Sequence, residues 1–400
     1  MRAFAQEIFG AGVAAADPFN AVTQALQARP PEPGAPIIAV GKAAMRMVEA
    51  ALAFGSEPSA TVVVTNPENA RQMAGVEVFA ASHPVPDAVG VEAAEAVEDI
   101  LQAADAGTEV LCLISGGGSA LLPAPADGLD LQDKISVNEL LLGSGAEIDL
   151  MNAVRQQLSR LKGGGMLRAA APARVRALIL SDVVGDDLRA IASGPTVAPL
   201  TDASGACAIL SDLGLWDRVP ERVRAHLQSQ RETDRPLPEA ENILVGSNAL
   251  SVAAMAKQAG GQAIVHEEPL VGDVGDAAAR IAAVTTPGVH LFGGETTVVL
   301  TGSGKGGRNQ ELALRVAMAL QGQTGWVFLQ GGSDGRDGPT DAAGGIVDGG
   351  TVDRIRAAGG DPEALLANND AYAALTLAGD LLMTGGTGTN VADLGVLIRT

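Results

Sequence analysis

The residues best equipped for chemistry sit in glycine-rich segments that each follow an apolar run. Gly41 and Lys42 come directly after PIIAV. A lysine at a strand's carboxyl end offers a point charge to phosphate or to a transferring phosphoryl group; otherwise it is a solvated first-turn lysine that slightly opposes the helix dipole. Ser115, Gly116, Gly117, Gly118 and Ser119 follow EVLCLI. Three consecutive glycines let backbone N–H groups approach an anion, and the flanking serines add hydroxyls. Leu121 occupies the place of the third glycine of a nicotinamide fingerprint, and no G-x-x-x-x-G-K-[ST] occurs, so neither a dinucleotide motif nor a P-loop is present.

Three further segments carry charge. Asp182, with Asp186 and Asp187 behind it, follows RALILS. Carboxylates there suit magnesium or a substrate hydroxyl, and Asp186 or Asp187 equally suits a helix N-cap. The run Thr301–Glu311 places Gly306, Gly307, Arg308 and Asn309 before an apolar-periodic helix, the arrangement expected for nucleotide phosphates. Asp334, Asp337 and Asp341 crowd the turn-rich stretch after WVFLQ; magnesium ligation and plain Asp–Gly turns both fit, while the calcium-loop frame is not met. Thr384 to Asn390 forms one more small polar turn. His83 follows VEVFAA and is placed to touch ligand. The other histidines, His226, His266 and His290, are scattered, with no H-E-x-x-H, so a zinc site is excluded, as is an acyl-transfer serine in a G-x-S-x-G elbow.

Positioning these segments requires strands that end where they begin. APIIAV, ATVVVTN, VEVFAAS, EVLCLI and RALILS read as strands alternating with helices, PDAVGVEAAEAVEDILQAA and Glu147–Lys162 among them. Continuous apolar strands alternating with helices predict an α/β fold with a Rossmann-like parallel sheet covered on both faces. The polar stretch from His226 to Asn242 contains two prolines and predicts a loop and boundary, giving domains 1–236 and 237–400. The second is a smaller α/β domain with a mixed sheet. GVHLFGGETTVVLTGSG reads as a hairpin turning at Gly293-Gly294, and VADLGVLIRT as the last strand. Phe4, Ile8 and Phe9 fit one face of an N-terminal surface helix.

Composition narrows the partners. Apolar residues are 47% of 400, enough for two cores, whereas aromatics are 2%, against base stacking. The net charge of -20 repels nucleic acid and anionic membrane, and no apolar stretch approaches the ~20 residues of a transmembrane helix. The two cysteines, Cys112 and Cys207, read as core residues of a cytoplasmic protein.

Taken together, VGKAAMRM, SHPVPD, LISGGGSALL, NAVRQQLSRLKGG, SDVVGDDLRAIASGPT, GGETTVVLTGSGKGGRNQELAL, GGSDGRDGPTDAA, NND and TGGTGTNVADL resemble the type II glycerate 2-kinases, also called the MOFRL family. They occur in family order from Val40 to Leu394. The resemblance implies ATP-dependent phosphorylation of D-glycerate to 2-phosphoglycerate with a divalent metal, in a cleft between two domains, by a monomer or homodimer. It implies Lys42 and Arg308 as catalytic residues; Asp182, at its strand end, is the aspartate placed to accept the hydroxyl proton. Ser115–Ser119, Arg155, Asp187, Glu295, Gly306, Gly307, Asn309 and Asn390 would bind the substrates, and Asp182, Asp334 and Asp337 would hold Mg2+. Gln156 and Gln157 depart from the family's frequent Lys-His and remove a possible cation. A hydroxypyruvate reductase and a non-catalytic phosphosugar-binding protein are the alternatives.

Overall fold

The computed structural model describes residues 1–229, 236–261 and 263–400. Contacts divide the chain into two units, Pro18–Val245 and a discontinuous one formed by Met1–Asp17 with Gly246–Thr400.

The unit Pro18–Val245 is built on β1 (Ile37–Val40), β2 (Thr61–Thr65), β3 (Glu77–Ala80), β4 (Glu109–Ser115), β5 (Arg174–Leu180) and β6 (Ala240–Gly246). Among the described residues they lie in the order β3-β2-β1-β4-β5-β6, and β1 to β5 pair in parallel. Residues of β1, β2 and β4 are buried without alternation, because helices cover both faces. On one face Ala93, Ala94, Val97 and Leu101 of the helix Ala88–Ala103 pack on Val62, Val64, Cys112 and Ile114. Asp87 caps that helix by accepting from the Gly90 amide. A separate helical cluster joins Leu141, Met151, Val154, Leu210 and Val223.

The other unit carries β7 (Ala263–Val265), β8 (Leu270–Asp273), β9 (Gly288–Thr297), β10 (Trp326–Gly332), β11 (Gly344–Asp348), β12 (Leu381–Leu382) and β13 (Asp393–Arg399). Their order among the described residues is β12-β11-β10-β13-β9-β7, with β8 also on β9. The sheet is mixed: β13 is antiparallel to β9 and β10, while β7 and β8 run parallel to β9. The helix Arg2–Ala15 and the helix Asn248–Ala259 cover one face through Ile8, Phe9 and Met255. Arg308–Ala319 and Val274–Ala282 cover the other through Leu312, Val316 and Ile281.

Several expectations change. Gly293 and Gly294 do not turn a hairpin but lie within the single strand β9. Gly294, at φ +150°, approaches β8 so closely that a Cβ would meet the Leu270 carbonyl carbon at 2.7 Å; glycine serves close packing there, not chain reversal. The expected last strand forms as β13, and it lies inside the sheet between β10 and β9. The helix expected over Glu147–Lys162 ends at Gln157. Of the expected loop, His226–Ser229 closes the helix Glu221–Ser229 and Ala240–Asn242 opens β6, while residues 230–235 lie outside the described residues. Contacts divide the chain differently from the expected 1–236 and 237–400, since the first helix buries its apolar face against the carboxyl-terminal sheet. Phe4 is off that face and exposed. No helix among the described residues is long and apolar enough to cross a membrane.

Candidate active site

In Pro18–Val245 the carboxyl ends of β1, β4 and β5 bring three predicted segments together, beside the β1/β4 junction where the strand order reverses; open parallel sheets bind ligands at such points. Gly41, at φ +125°, passes so close to Ser115 that a Cβ would lie 2.7 Å from its carbonyl carbon. The Lys42 amide donates to the Gly116 carbonyl at 2.9 Å, and Asn69 Nδ2 donates to the Lys42 carbonyl at 3.1 Å. Ser115 Oγ accepts from the Ala43 amide. With its backbone held on both sides, Lys42 lays its side chain over Gly117, where a Cβ would meet Cγ at 3.1 Å and Cε at 3.3 Å, and His83 Cδ2 at 3.5 Å. The Asp182 carboxylate covers Gly116 in the same way, with Oδ1 at 2.9 Å from the position a Cβ would take and Oδ2 nearer still. Lys42, His83 and Asp182 therefore crowd one glycine turn.

That turn presents donors. The N–H groups of Gly117, Gly118 and Ser119 have no acceptor among the described residues. Burial raises the Asp182 carboxyl above its usual range, and nearby Lys42 partly offsets this. Burial and the Lys42 charge hold His83 below the usual imidazole value, hence neutral at pH 7. Ser119 Oγ lies 2.7 Å from Ser193 Oγ, which bonds to Asn152 Oδ1, itself 3.5 Å from Arg155 Nη1. Arg155 also donates to Asn138. Gln156 and Gln157 are not vacant ligand positions: their amides bond to the Arg189, Ser193 and Thr201 carbonyls and the Leu200 amide. Asp187 does not join the cluster but closes a turn onto the Arg189 amide and guanidinium. No α-helix follows for it or Asp186 to cap; only the 3-10 turn Ile191–Ser193 does.

In the other unit Arg308 stands at the start of the helix Arg308–Ala319. Its Nε and Nη2 donate to the two Asp393 oxygens at 2.6 and 3.0 Å, and Glu295 lies 3.0 Å from Nη1. Burial opposes the charge, but Asp393 and Glu295 more than offset it and hold the guanidinium above the ordinary arginine value. N–H donors remain on Nη1 and Nη2 for an anion. Asn309 donates to Asp337 and Asp393 and accepts from Gln330.

The helix N-terminus itself is not open to phosphate. Asp337 accepts from the Asn309 and Gln310 amides at 3.2 and 2.8 Å and so serves as a cap from a distance. Burial pushes its carboxyl up to about 6. Upstream, Asn369 Oδ1 takes the Thr301 and Gly302 amides, Asn368 those of Ser303 and Gly304, and Asp370 that of Lys305. Gly306 and Gly307 N–H groups have no partner among the described residues. Asp334 accepts from the Arg336 amide, Asn390 from the Ala392 amide, and Asp341 from the Tyr372 hydroxyl. The acidic trio is thus dispersed, and no three His, Cys, Asp or Glu side chains among the described residues could together hold a metal.

Sequence reasoning missed Asp393, Asn69 and the role of Asn368–Asp370. An aspartate at the head of an apolar strand, in VADLGVLIR, was the available signal for Asp393.

Residues 4–228 match a family model described as a domain of unknown function, DUF4147, and residues 288–393 match the MOFRL family. The chain is 41% identical to a D-glycerate 2-kinase of Thermotoga maritima over 90% of this chain and 89% of the relative. It is 37% identical to a glycerate 2-kinase of Pyrococcus horikoshii over 100% and 98%. A protein of Agrobacterium vitis named, provisionally, as a hydroxypyruvate reductase is 41% identical over 98% and 93%. The crystal structure of a Thermotoga maritima glycerate kinase superposes with a TM-score of 0.94 at 37% identity, covering 100% of this chain and 99% of that one.

Proposed function

The chain belongs to the type II glycerate 2-kinase, or MOFRL, family, and on that premise we propose that it transfers the γ-phosphoryl group of ATP to the 2-hydroxyl of D-glycerate, giving 2-phosphoglycerate and ADP. The observation that carries the proposal is the meeting of Lys42, Asp182 and the free amides of Gly117–Ser119 at one glycine turn. Phosphoryl transfer asks a protein chiefly for position and for charge that offsets the moving phosphoryl oxygens. Lys42 and Arg308 supply that charge. Asp182, its carboxyl raised by burial, accepts the proton of the 2-hydroxyl as the oxygen bonds to phosphorus, and the bond from phosphorus to the ADP oxygen breaks. The Gly117–Ser119 amides and those of Gly306 and Gly307 bind phosphate or carboxylate oxygens, and Arg155 pairs with the glycerate carboxylate. Asn309, Glu295 and Asn390 shape the surroundings of Arg308 and the polar turn.

Magnesium enters as part of the nucleotide substrate. The dispersed carboxylates do not form a resident cage among the described residues, and magnesium typically keeps water and phosphate ligands with one or two carboxylates; Asp334 is the side chain that would supply one. The free thiols of Cys112 and Cys207 support a reducing cytoplasm. The reductase alternative lacks its cofactor motif, since Leu121 stands where the third glycine belongs.

The test is ADP release in the presence of D-glycerate, with phosphorus NMR identifying the phosphorylated carbon. D-Glycerate-dependent ADP and 2-phosphoglycerate are expected. NADH consumption with hydroxypyruvate and no ADP would replace the kinase by the reductase.

A further inference from the structure

Behind the SGGGS turn, Pro18–Val245 gathers four basic side chains, three of them without a carboxylate partner among the described residues. Lys134 lies within electrostatic reach of Arg155, Arg160 and Lys162, and Lys162 within reach of Arg155. Only Arg160 has an acidic partner among the described residues, Glu98 at 2.7 Å. An unpaired buried charge is costly, and burial accordingly drives the ammonium groups of Lys134 and Lys162 down; either lysine carries a full charge there only if a counter-charge arrives.

Lys162 is the one built into the turn. Its side chain is buried, and of its three donors one is used, on the Leu122 carbonyl at 2.8 Å. It lines a narrow cavity with Gly118, Val40, Ile114, Leu122 and Ala192. The residues after it tie the same structure together: Gly163 and Gly164 amides donate to the Ser193 and Gly194 carbonyls, and Ser193 Oγ meets Ser119 Oγ. Ala192 and Ser193 adopt φ of +49° and +62°, a costly conformation for non-glycine residues that persists only where surrounding structure enforces it.

We propose that Lys162 is a positioning residue for the SGGGS turn, taking up a proton when an anionic substrate group seats on the turn's outer side and holding that group by its charge from behind. The proposal rests on the reading that this turn receives an anion of the substrate pair. Unliganded, Lys162 is largely neutral at pH 8: burial, with Arg155 adding to it, brings its ammonium down to about 7. No carboxylate lines the cavity, whose walls from β1, β4, the turn and the Ala192 segment are apolar or glycine; the charge acting on Lys162 is that of Arg155, and the amine of Lys134, itself driven down by burial, lies within reach. An arriving anion is then the counter-charge the pocket lacks, and by linkage it binds together with a proton.

Calorimetric titration of the full chain at pH 8, in two buffers of different ionisation enthalpy, tests this with AMP-PNP and D-glycerate as separate probes. At that pH D-glycerate is deprotonated, and the last phosphate proton that AMP-PNP partly retains could only be released on binding, so a net uptake comes from the protein; wild type is expected to take up a large fraction of a proton with one of the probes. Lys162→Met should abolish that uptake and weaken the same probe at least tenfold, while its melting temperature stays level or rises, since an apolar isostere relieves the buried amine. A purely structural lysine gives the reverse: a lower melting temperature, with affinity and proton count unchanged. Anion binding without proton uptake in wild type overturns the inference even if the variant does not fold, as does unchanged uptake in Lys162→Met. Failure of wild type to bind either probe overturns the kinase reading beneath it.

Discussion

Gly116→Ala is the sharpest perturbation the structure offers, because it adds one methyl and no charge. Gly116 has no left-handed φ, so alanine suits its backbone. The added Cβ would lie 2.9 Å from Asp182 Oδ1 and nearer to Oδ2 and Cγ, against the ~3.5 Å at which such atoms rest. The nearer carboxylate oxygen must therefore retreat by about 1.5 Å or rotate away. Asp182 is the end of a short side chain at a half-buried site, so the fold should lose no more than about 1–2 kcal/mol. Catalysis should lose far more: a misplacement of about 1 Å costs on the order of a hundredfold, or about 2.7 kcal/mol of barrier. The assay is D-glycerate-dependent ADP release, with thermal melting alongside. A cycle with Asp182→Ala isolates the cause, because the double variant should lose no more activity than Asp182→Ala alone. Gly116→Ala turning over within threefold of wild type, or adding its full loss to that of Asp182→Ala, would refute the placement of Asp182 over the turn as the basis of catalysis.

Lys42→Ala should lower kcat at least a hundredfold while the melting temperature barely moves, since the side chain is exposed; near-normal turnover would remove Lys42 from the mechanism. Asp393→Asn releases one side of a pair in which Asp393 is buried and Arg308 is a third exposed; a loss of about 2 kcal/mol in urea unfolding and a tenfold or greater drop in kcat are expected, and retention of both would show that Arg308 is aligned by other groups. For Asp337 the folded carboxyl titrates at about 6, above its usual value, so its protonation contributes stability that is full below about pH 4 and lost as pH rises through 6. The stability of Asp337→Asn relative to wild type should therefore fall on acidification from pH 7 to pH 4, as followed by urea midpoints, and a constant difference would count against a raised carboxyl.

The parallel sheet was legible because β1, β2 and β4 are buried on both faces and their apolar runs are unbroken. Lys42, Asp182 and the SGGGS turn were legible because each directly follows such a run. What escaped depends on partners distant in sequence. Nothing near Asp337 indicates that it caps a helix that begins at Arg308, and nothing near Gly293 indicates that β8 must pass against β9. The NND segment was visible as a motif, but its work is to take five consecutive amides of the Thr301–Lys305 loop, a role no local pattern encodes. The spread of the acidic trio has the same origin: Asp334, Asp337 and Asp341 are close in sequence, yet each is drawn to a different neighbour.

The helix Arg2–Ala15 has a consequence for how the protein is made. It is synthesised well before its partners: Met255 beside Gly12, Asp348 and Asp380 for Arg2, and the strands that receive Phe9. During synthesis it must wait, with Ile8 and Phe9 uncovered, while the intervening Pro18–Val245 unit is completed. Chains truncated after Val245 would display that greasy stripe with no place to bury it, and these are the nascent species on which a chaperone would be expected to act.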